Sequence, residues 1–465
     1  MIRFLRQQAT RWLLVMGCVE FLLLVLAVAL AVRVRYLNDA GAYAEFSHHL
    51  LERGALFASS ITLGMFALGL YQAQMRESIT GMFLRQIVGF VLGAFFLVIL
   101  YYALPQAYIG RGVFGLAIVA GLIGVVLSRV FFFNLMDAEL LKRRVLVLGA
   151  GHRAEFLVKW NRRRSDRRTF NVVGFVPVAG EPVVVPQDDV LPLDGPLYAW
   201  ARREHIDEIV VGPDDRRGNL PMNELLECKQ HGIDVTHLIR FLERESGKVK
   251  LTTYPSWLVF SDGFDGSALR KASKRAFDIF SAAVVLVLTW PFMLLTALAI
   301  RIESGKGQPL LYRQTRVGER GKVFSLAKFR SMRTDAELDG VARWASKNDA
   351  RVTRVGRFIR KTRLDELPQL WNVLKGDMSF IGPRPERPQF VDELSKKISY
   401  YTLRHCVKPG LTGWAQLRYP YGSSEEDAAE KLTFDLYYVK NHNLRFDLMI
   451  FLQTIEVVLF GRGAR

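Results

Sequence analysis

KRAFDIFSAAVVLVLTWPFMLLTALAIR, residues 274–301, is the stretch on which the reading of this chain turns. Its apolar run, Ala276 to Ile300, is long enough to cross a bilayer, because a spanning helix needs ~20 apolar residues. Basic residues nevertheless flank both ends: Lys274 and Arg275 before it, Arg301, Lys306 and Arg313 after it. Charge on both flanks opposes moving either end across. Pro291 lies inside the run, where a proline removes one helical hydrogen bond and bends the helix. The pattern predicts a helix that enters the membrane, breaks at Pro291 and leaves by the same face. A kinked span is the plainer alternative. Irregular backbone at that depth needs cover from protein or polar groups. Thr289, two places before the proline, is the candidate to satisfy the carbonyls it frees.

The whole chain of 465 residues suggests about three units. Half are apolar, mean hydropathy is +0.13 and the net charge is +18, which together exclude a disordered chain and favour anionic partners. Four apolar segments fill the first 136 residues, at about Trp12–Val32, Ala55–Tyr71, Phe83–Leu104 and Val113–Leu135. The first lacks a small-x-small exit and runs into arginines, so it reads as an anchor rather than a cleaved leader. Arg3, Arg6 and Arg11, then Arg76 and Arg85, then Lys142 to Arg144 mark the cytoplasmic side. Arg33, Arg35 and Arg53 weaken that rule at the first outer loop. Three scattered cysteines, Cys18, Cys228 and Cys406, form neither a disulfide framework nor a zinc site.

RVLVLGAGHRA, residues 144–154, reads as a buried strand, a glycine turn and a helix start, with the G-x-G-x-x-A spacing of a Rossmann-type phosphate turn. Further strands at Val172–Val176 and Glu208–Val211 alternate with helical stretches such as Leu220–His231, predicting a small parallel α/β sheet. A bound dinucleotide needs an acid at the end of the second strand, but Pro177 follows Val176. A sheet that keeps only the tight turn is therefore the favoured reading.

Beyond residue 301 the chain is basic and soluble in character. TRLDELPQLWNVLKG, residues 362–376, predicts one capped helix, with Asp365 as N-cap, Pro368 in the first turn and Gly376 as the stop. The front of a helix suits phosphate and keeps Asp365 ionised. An ionised carboxylate is a nucleophile toward phosphorus or a ligand for magnesium, and Glu366 beside it allows the two roles to be divided. Ordinary capping is the other reading of such a pair. Arg357, Arg360, Lys361 and Arg363 lie just upstream; Lys328-Phe329-Arg330-Ser331-Met332-Arg333 follows a strand; Pro383 and Pro385 fix Arg384 for bidentate phosphate contact. Lys408 to Trp414 is a rigid turn bearing an aromatic, and His405 and His442 lack partners at metal spacing. Helices at Thr433–Lys440 and Arg445–Phe460 either lie in the bilayer interface or pack on the domain.

From Lys274 onward these stretches resemble the bacterial polyprenyl-phosphate sugar-1-phosphate transferases. The matching pieces are Lys274 to Asp278, Tyr312 to Gly318, Lys328 to Met332, Leu364 to Gly376, Gly382 to Pro385, Lys408 to Trp414 and Asp435 to Val439. The whole arrangement is similar to the large members: a four-helix transmembrane region (1–141), a Rossmann-like cytoplasmic α/β domain (142–262), a linker (263–275) and a mixed α/β catalytic domain (276–465) with a re-entrant helix (276–300). The resemblance implies transfer of a hexose-1-phosphate, glucose or galactose by default, from a UDP-sugar to undecaprenyl phosphate, releasing UMP, as the first membrane step of exopolysaccharide, capsule or O-antigen synthesis. It implies Asp365 as a nucleophile that forms a covalent phosphosugar intermediate and as the Mg2+ ligand, with Glu366 assisting by deprotonating the lipid phosphate. Lys328, Arg330, Arg384 and Asp435 match family active-site positions and are expected to bind substrate or phosphate. Expected partners are the UDP-sugar, undecaprenyl phosphate, membrane lipid and a second copy of the chain, with no nucleic acid, at the bacterial inner membrane with the catalytic domain in the cytoplasm. The family often has Ser-Pro at the helix break, where this chain has Trp290-Pro291. A membrane-bound nucleotide-sugar dehydratase would need Tyr-x-x-x-Lys, and no tyrosine here has lysine four places on. A non-catalytic export scaffold would have no use for the Asp365-Glu366 pair.

Overall fold

The computed structural model describes residues 9–68, 70–71, 79–136, 142–160, 170–214, 220–250, 263–264, 266–305, 307–334, 349, 351–419, 422 and 424–460. Arg3, Arg6 and Arg76, expected to mark the cytoplasmic side, lie outside them. The chain divides into two compact units, Met1–Ser246 and Gly247–Arg465.

The first unit opens with helices α1 (Ala9–Arg35), α2 (Ala40–Ser47), α3 (Leu50–Ala67), α4 (Ile79–Ala103) and α5 (Arg111–Met136). Each of the four expected apolar segments is built on a helix, the second of which ends at Ala67. Val15–Arg35, Met82–Ala103 and Arg111–Phe132 are long and apolar enough to cross a membrane. The shorter α3 has 18 residues and Glu52 in its first turn. It packs backbone to backbone on α4, where a Cβ on Gly93 would lie 2.6 Å from the Cα of Ile61. Inside the bundle, Glu20 accepts from Arg129 Nε at 2.7 Å and Nη2 at 3.0 Å, and from the Tyr71 hydroxyl at 2.6 Å. Such an ion pair fixes helix register where unpaired charge is costly. Arg85, expected among the flanking basic residues, is instead inside α4 and buried.

A parallel sheet in the order β2-β1-β3-β4 follows. Its strands are β1 (Arg143–Leu148), β2 (Phe170–Val176), β3 (Glu208–Val211) and β4 (Asp234–His237). Helices α6 (His152–Trp160), α7 (Leu197–Arg203), α8 (Met222–Gln230) and α9 (Leu238–Ser246) cover it. Alternation along β1 separates the two cores. Leu146 and Leu148 pack with Leu197, Trp200, Leu225 and Cys228, whereas Val145 and Val147 pack with Ala154, Leu157, Leu238 and Phe241. Burial on both faces explains the continuous apolar strand. The fourth strand, Asp234–His237, was not anticipated: its residues are polar or half-buried, as at a sheet edge.

In this sheet the glycine turn holds no open phosphate cradle. Asp214, just beyond β3, accepts from the backbone N–H of His152 and of Arg153, both at 2.8 Å. A Cβ on Gly151 would overlap that carboxylate. The chain thus supplies its own anion to the front of α6, which accounts for a Rossmann-type turn without the ribose-binding acid.

The second unit begins with α10 (Ala268–Ser304), a helix of 37 residues and so ~55 Å of rise. Both of its ends are fastened to this unit. Near the start, Arg275 donates to the carbonyls of Val373 and Leu374 at 2.6 Å each. Asp278 accepts from Ser379 Oγ at 2.9 Å, from Phe380 N at 3.0 Å and from Lys274 Nζ at 3.0 Å. Near the end, Ile300 packs on Phe329 and Ile359, and Glu303 accepts from the amides of Arg354 at 2.8 Å and Val355 at 3.1 Å. Between these anchors Val287, Leu288, Trp290, Phe292, Leu294 and Leu295 are exposed. The apolar middle is thus bare of protein while both ends pack on the same unit, and Ala268–Ser304 is also long and apolar enough to cross a membrane. The expected break at Pro291 is absent: the helix runs on through it, losing the one hydrogen bond that proline cannot donate. Thr289 Oγ1 does back-bond, but to Val285 O at 2.7 Å, not to the Val287 carbonyl that Pro291 leaves without its usual donor.

The rest comprises an antiparallel hairpin, β5 (Leu311–Val317) with β6 (Val323–Phe329), and a parallel pair, β7 (Ser379–Ile381) with β8 (Gly410–Thr412). Its helices are α11 (Arg354–Lys361), α12 (Gln369–Lys375), α13 (Pro388–Lys397), α14 (Trp414–Arg418), α15 (Glu425–Asn441) and α16 (Leu444–Phe460). Leu370, Val373, Phe380, Ile381, Trp414, Tyr438 and Ile450 form one core, whereas α13 packs with Val317 and Leu436 and α11 with Ile300 and Phe329. Both C-terminal helices thus contribute to the domain's own packing.

Candidate active site

Residues 362–376 are not one helix. Left-handed Arg363 (φ 60°) ends the run from α11, Leu364–Glu366 form a 3-10 turn, and α12 starts only after Pro368. The expected N-cap at Asp365 is therefore absent, because the residue sits within the turn and makes no side-chain cap. Gly376 does end α12, in the left-handed conformation (φ 98°).

Asp365 and Glu366 are both buried, yet their surroundings differ. Glu366 Oε1 faces Arg384 Nη2 at 2.7 Å, Lys328 Nζ at 3.5 Å and Arg363 Nη1 at 3.5 Å. Burial alone would raise its pKa, but Arg384, Lys328 and Arg363 outweigh it and hold the carboxyl well below the usual range. A carboxylate so held is a poor proton acceptor. Asp365 is pushed up to about 6, first by burial and then by the Glu366 charge, with Lys328, Arg363 and Arg384 opposing. Desolvation and a neighbouring anion, not a helix front, set this pKa, which still leaves the carboxyl ionised at neutral pH. Its Oδ1 is buried with no hydrogen-bond partner among the described residues. Burial also lowers the Lys328 pKa, partly offset by Glu366.

The positions of these groups follow from local packing. Asn372 on α12 donates to Ser325 O at 2.9 Å and accepts from Ala327 N at 3.2 Å, so β6 delivers Lys328 to the turn. Arg384 hangs from the Gly382–Glu386 loop, which lies against the Lys408–Trp414 turn. Gly382 N donates to Thr412 O and Gly410 N to Pro383 O, each at 2.9 Å. A Cβ on Gly410 would overlap Gly382, so only glycine permits the approach. The Lys408–Trp414 motif is thus a structural support.

Lys328 and Arg384 are the expected binding residues that meet the pair. Arg330 is buried and donates to Gln308 Oε1 at 3.2 Å. Asp435 is buried and pairs with Arg404 Nη2 at 2.8 Å; no hydrogen bond joins it to Asp365 or Glu366 among the described residues. Burial raises its pKa to about 6 against the pull of Arg404. No spacing in the sequence marks Arg404, which stands beside His405. His405 is pushed down to about 4 by burial and by Arg404, so it is neutral. Among the described residues no three His, Cys, Asp or Glu side chains form a metal cage. The unpartnered Asp365 Oδ1 fits a magnesium ion, which characteristically takes one or two carboxylates and completes its shell with substrate phosphates and water.

The family model for bacterial sugar transferases matches residues 269–461. The UDP-N-acetylgalactosamine-undecaprenyl-phosphate N-acetylgalactosaminephosphotransferase of Aeromonas hydrophila is 42% identical over 241 residues, 52% of this chain and 56% of the relative. The undecaprenyl-phosphate glucose phosphotransferase of Komagataeibacter xylinus is 34% identical over 343 residues, 70% and 60% of the two chains. The UDP-glucose:undecaprenyl-phosphate glucose-1-phosphate transferase of Xanthomonas campestris pv. campestris is 30% identical over 382 residues, covering 77% of this chain and 75% of the relative. The chain thus spans less than two thirds of the first two relatives and three quarters of the third.

Proposed function

The chain belongs to the bacterial sugar transferase family, and on that premise we propose that it transfers a hexose-1-phosphate from a UDP-sugar to undecaprenyl phosphate at the cytoplasmic face of the inner membrane. The observation that carries the proposal is the division of labour at residues 365 and 366. One carboxylate is tied to three cations, while the other is buried, close to neutral in its pKa and has an oxygen to spare. Asp365 attacks the phosphorus that bears the sugar. A carboxylate–phosphorus bond forms, the bond from that phosphorus to the UMP oxygen breaks, and UMP leaves with the electron pair. An oxygen of the lipid phosphate then attacks the same phosphorus and releases the Asp365 carboxylate. Lys328 and Arg384, held in place by Glu366, neutralise the diphosphate; a magnesium ion at Asp365 would lower the same charge. The exposed middle of α10 seats the site beside lipid, and Pro291 marks where we place its bend. The reading extends to the first membrane step of exopolysaccharide, capsule or O-antigen synthesis.

The relatives' names divide between glucose and N-acetylgalactosamine. The donor is therefore to be assigned by assay: membranes holding the full chain, undecaprenyl phosphate, magnesium and a panel of UDP-sugars, scored by UMP release. Asp365→Asn is expected to abolish release and the labelled sugar phosphate on protein. Turnover at the unsubstituted rate would remove Asp365 from the chemistry.

A further inference from the structure

Arg384 does not hang from a free loop. Four successive carbonyls around it are each bound by another part of the second unit. Pro383 O accepts from Gly410 N at 2.9 Å, Arg384 O from Arg404 Nη2 at 3.0 Å, Pro385 O from Arg316 Nη1 at 3.0 Å and Glu386 O from Val317 N at 2.9 Å. Two of the four bonds come from neighbouring backbone. Arg404 and Arg316 supply the others, so the loop's conformation depends on two arginine side chains.

Arg404 is the more fully committed. It is buried in the 3-10 turn Tyr401–Cys406, donates through Nη1 to the Tyr401 hydroxyl at 2.7 Å, and pairs through Nη2 with Asp435 on α15 at 2.8 Å while holding Arg384 O. A guanidinium has enough donors in a fixed plane for three such partners, whereas an ammonium is a single point of charge. We propose that Arg404, charge-balanced by Asp435 and oriented by Tyr401, is a positioning residue that fixes the backbone at Arg384 so that the Arg384 guanidinium meets Glu366. On this assignment Asp435 serves the reaction through Arg404 and Arg384, without touching substrate. The inference rests on the proposed transferase reading in one respect: it takes Arg384 to be a donor-site residue.

A double-mutant cycle on the full chain in membranes tests it, with kcat/KM for the UDP-sugar as the readout. Arg404→Lys keeps the charge opposite Asp435 but not all three bonds, and is expected to lower kcat/KM by about tenfold. In an Arg384→Ala background the same substitution is expected to change it by less than about twofold, because the group being positioned is gone. An equal loss in both backgrounds overturns the proposal and leaves Arg404 a general support of the fold. Should Arg404→Lys fail to accumulate folded, Tyr401→Phe carries the same cycle, since it removes one of the three bonds and leaves the ion pair. A loss on Arg404→Lys with none on Arg384→Ala also overturns it. Failure of the covalent reading shows separately, as turnover retained by Asp365→Asn, and leaves the measured coupling intact.

Discussion

At two turns the chain sets a carboxylate where a phosphate-handling site is expected, and the two carboxylates have opposite surroundings. At Gly149–Gly151 the Asp214 carboxylate is fully used, with one oxygen on His152 N and the other on Arg153 N. Its own amide is in turn bound by Glu181. At Leu364–Glu366 the partners converge on Glu366, and Asp365 is left buried with an oxygen that nothing among the described residues satisfies. A satisfied buried anion contributes stability. An unsatisfied one costs stability and is reactive. The first turn is thus suited to holding a fold together, the second to chemistry.

The largest effect expected from this contrast comes from Glu366→Gln. The amide keeps the size of the side chain but not the charge that gathers Lys328, Arg363 and Arg384, and turnover is expected to fall by about 10²-fold. Removing the Glu366 charge also removes one of the two influences that raise the Asp365 pKa. The acid limb of the pH–rate profile, expected near pH 6 in the unsubstituted protein, should therefore move to lower pH. A limb that stays in place or moves up would show that the two carboxyls do not interact.

A smaller effect, of opposite sign to the usual catalytic mutation, is expected for Asp365→Asn measured by unfolding. The Asp365 pKa rises from 3.8 to about 6 on folding, so between those values the folded chain holds the extra proton. Stability therefore falls as pH rises through that window and stays lower at neutral pH. Replacing the carboxylate by an amide removes the penalty and is expected to stabilise the second unit by ~1–3 kcal/mol at pH 7.5, with no gain below about pH 4. Thermal or denaturant unfolding at the two pH values checks it; a loss of stability at pH 7.5 would mean that Asp365 is a structural residue after all.

How much of this was legible in the sequence depends on how local the cause is. The alternation of Val145, Leu146, Val147 and Leu148 and the glycine spacing after them are local, and they gave strand, turn and helix correctly. Asp214 lies over sixty residues downstream, so a motif at 149–154 has no means of announcing that its cradle is filled. The pairing of acids at 365 and 366 is legible because the two are adjacent. Which of them is free is not, since Lys328 and Arg384 arrive from β6 and from the loop after β7. Asp435 was legible as a position worth notice but not as the counter-ion of Arg404, because a buried arginine has no spacing signature. The long apolar run suggested a helix that returns to one face. What the sequence does not show is that its two ends are anchored on the same unit, Asp278 at Ser379 and Glu303 at Arg354.

The smallest effect tests the quieter of the two turns. Asp214→Ala deletes the carboxylate that accepts from the first two amides of the nine-residue helix α6. Loss of a capping carboxylate typically costs ~1 kcal/mol, within a range of ~0.5–2. The first unit is expected to unfold more easily by that amount, while a preparation kept below its unfolding temperature retains UMP release within about twofold, because the residues proposed to carry the transfer all belong to the second unit. Asp214→Asn should recover part of the loss, since an amide oxygen still accepts from one of the two N–H groups but without charge assistance. If the alanine variant instead lost turnover at unchanged stability, the glycine turn would have a part in the reaction, and the contrast between a carboxylate used for folding and one kept for chemistry would fail at its first member.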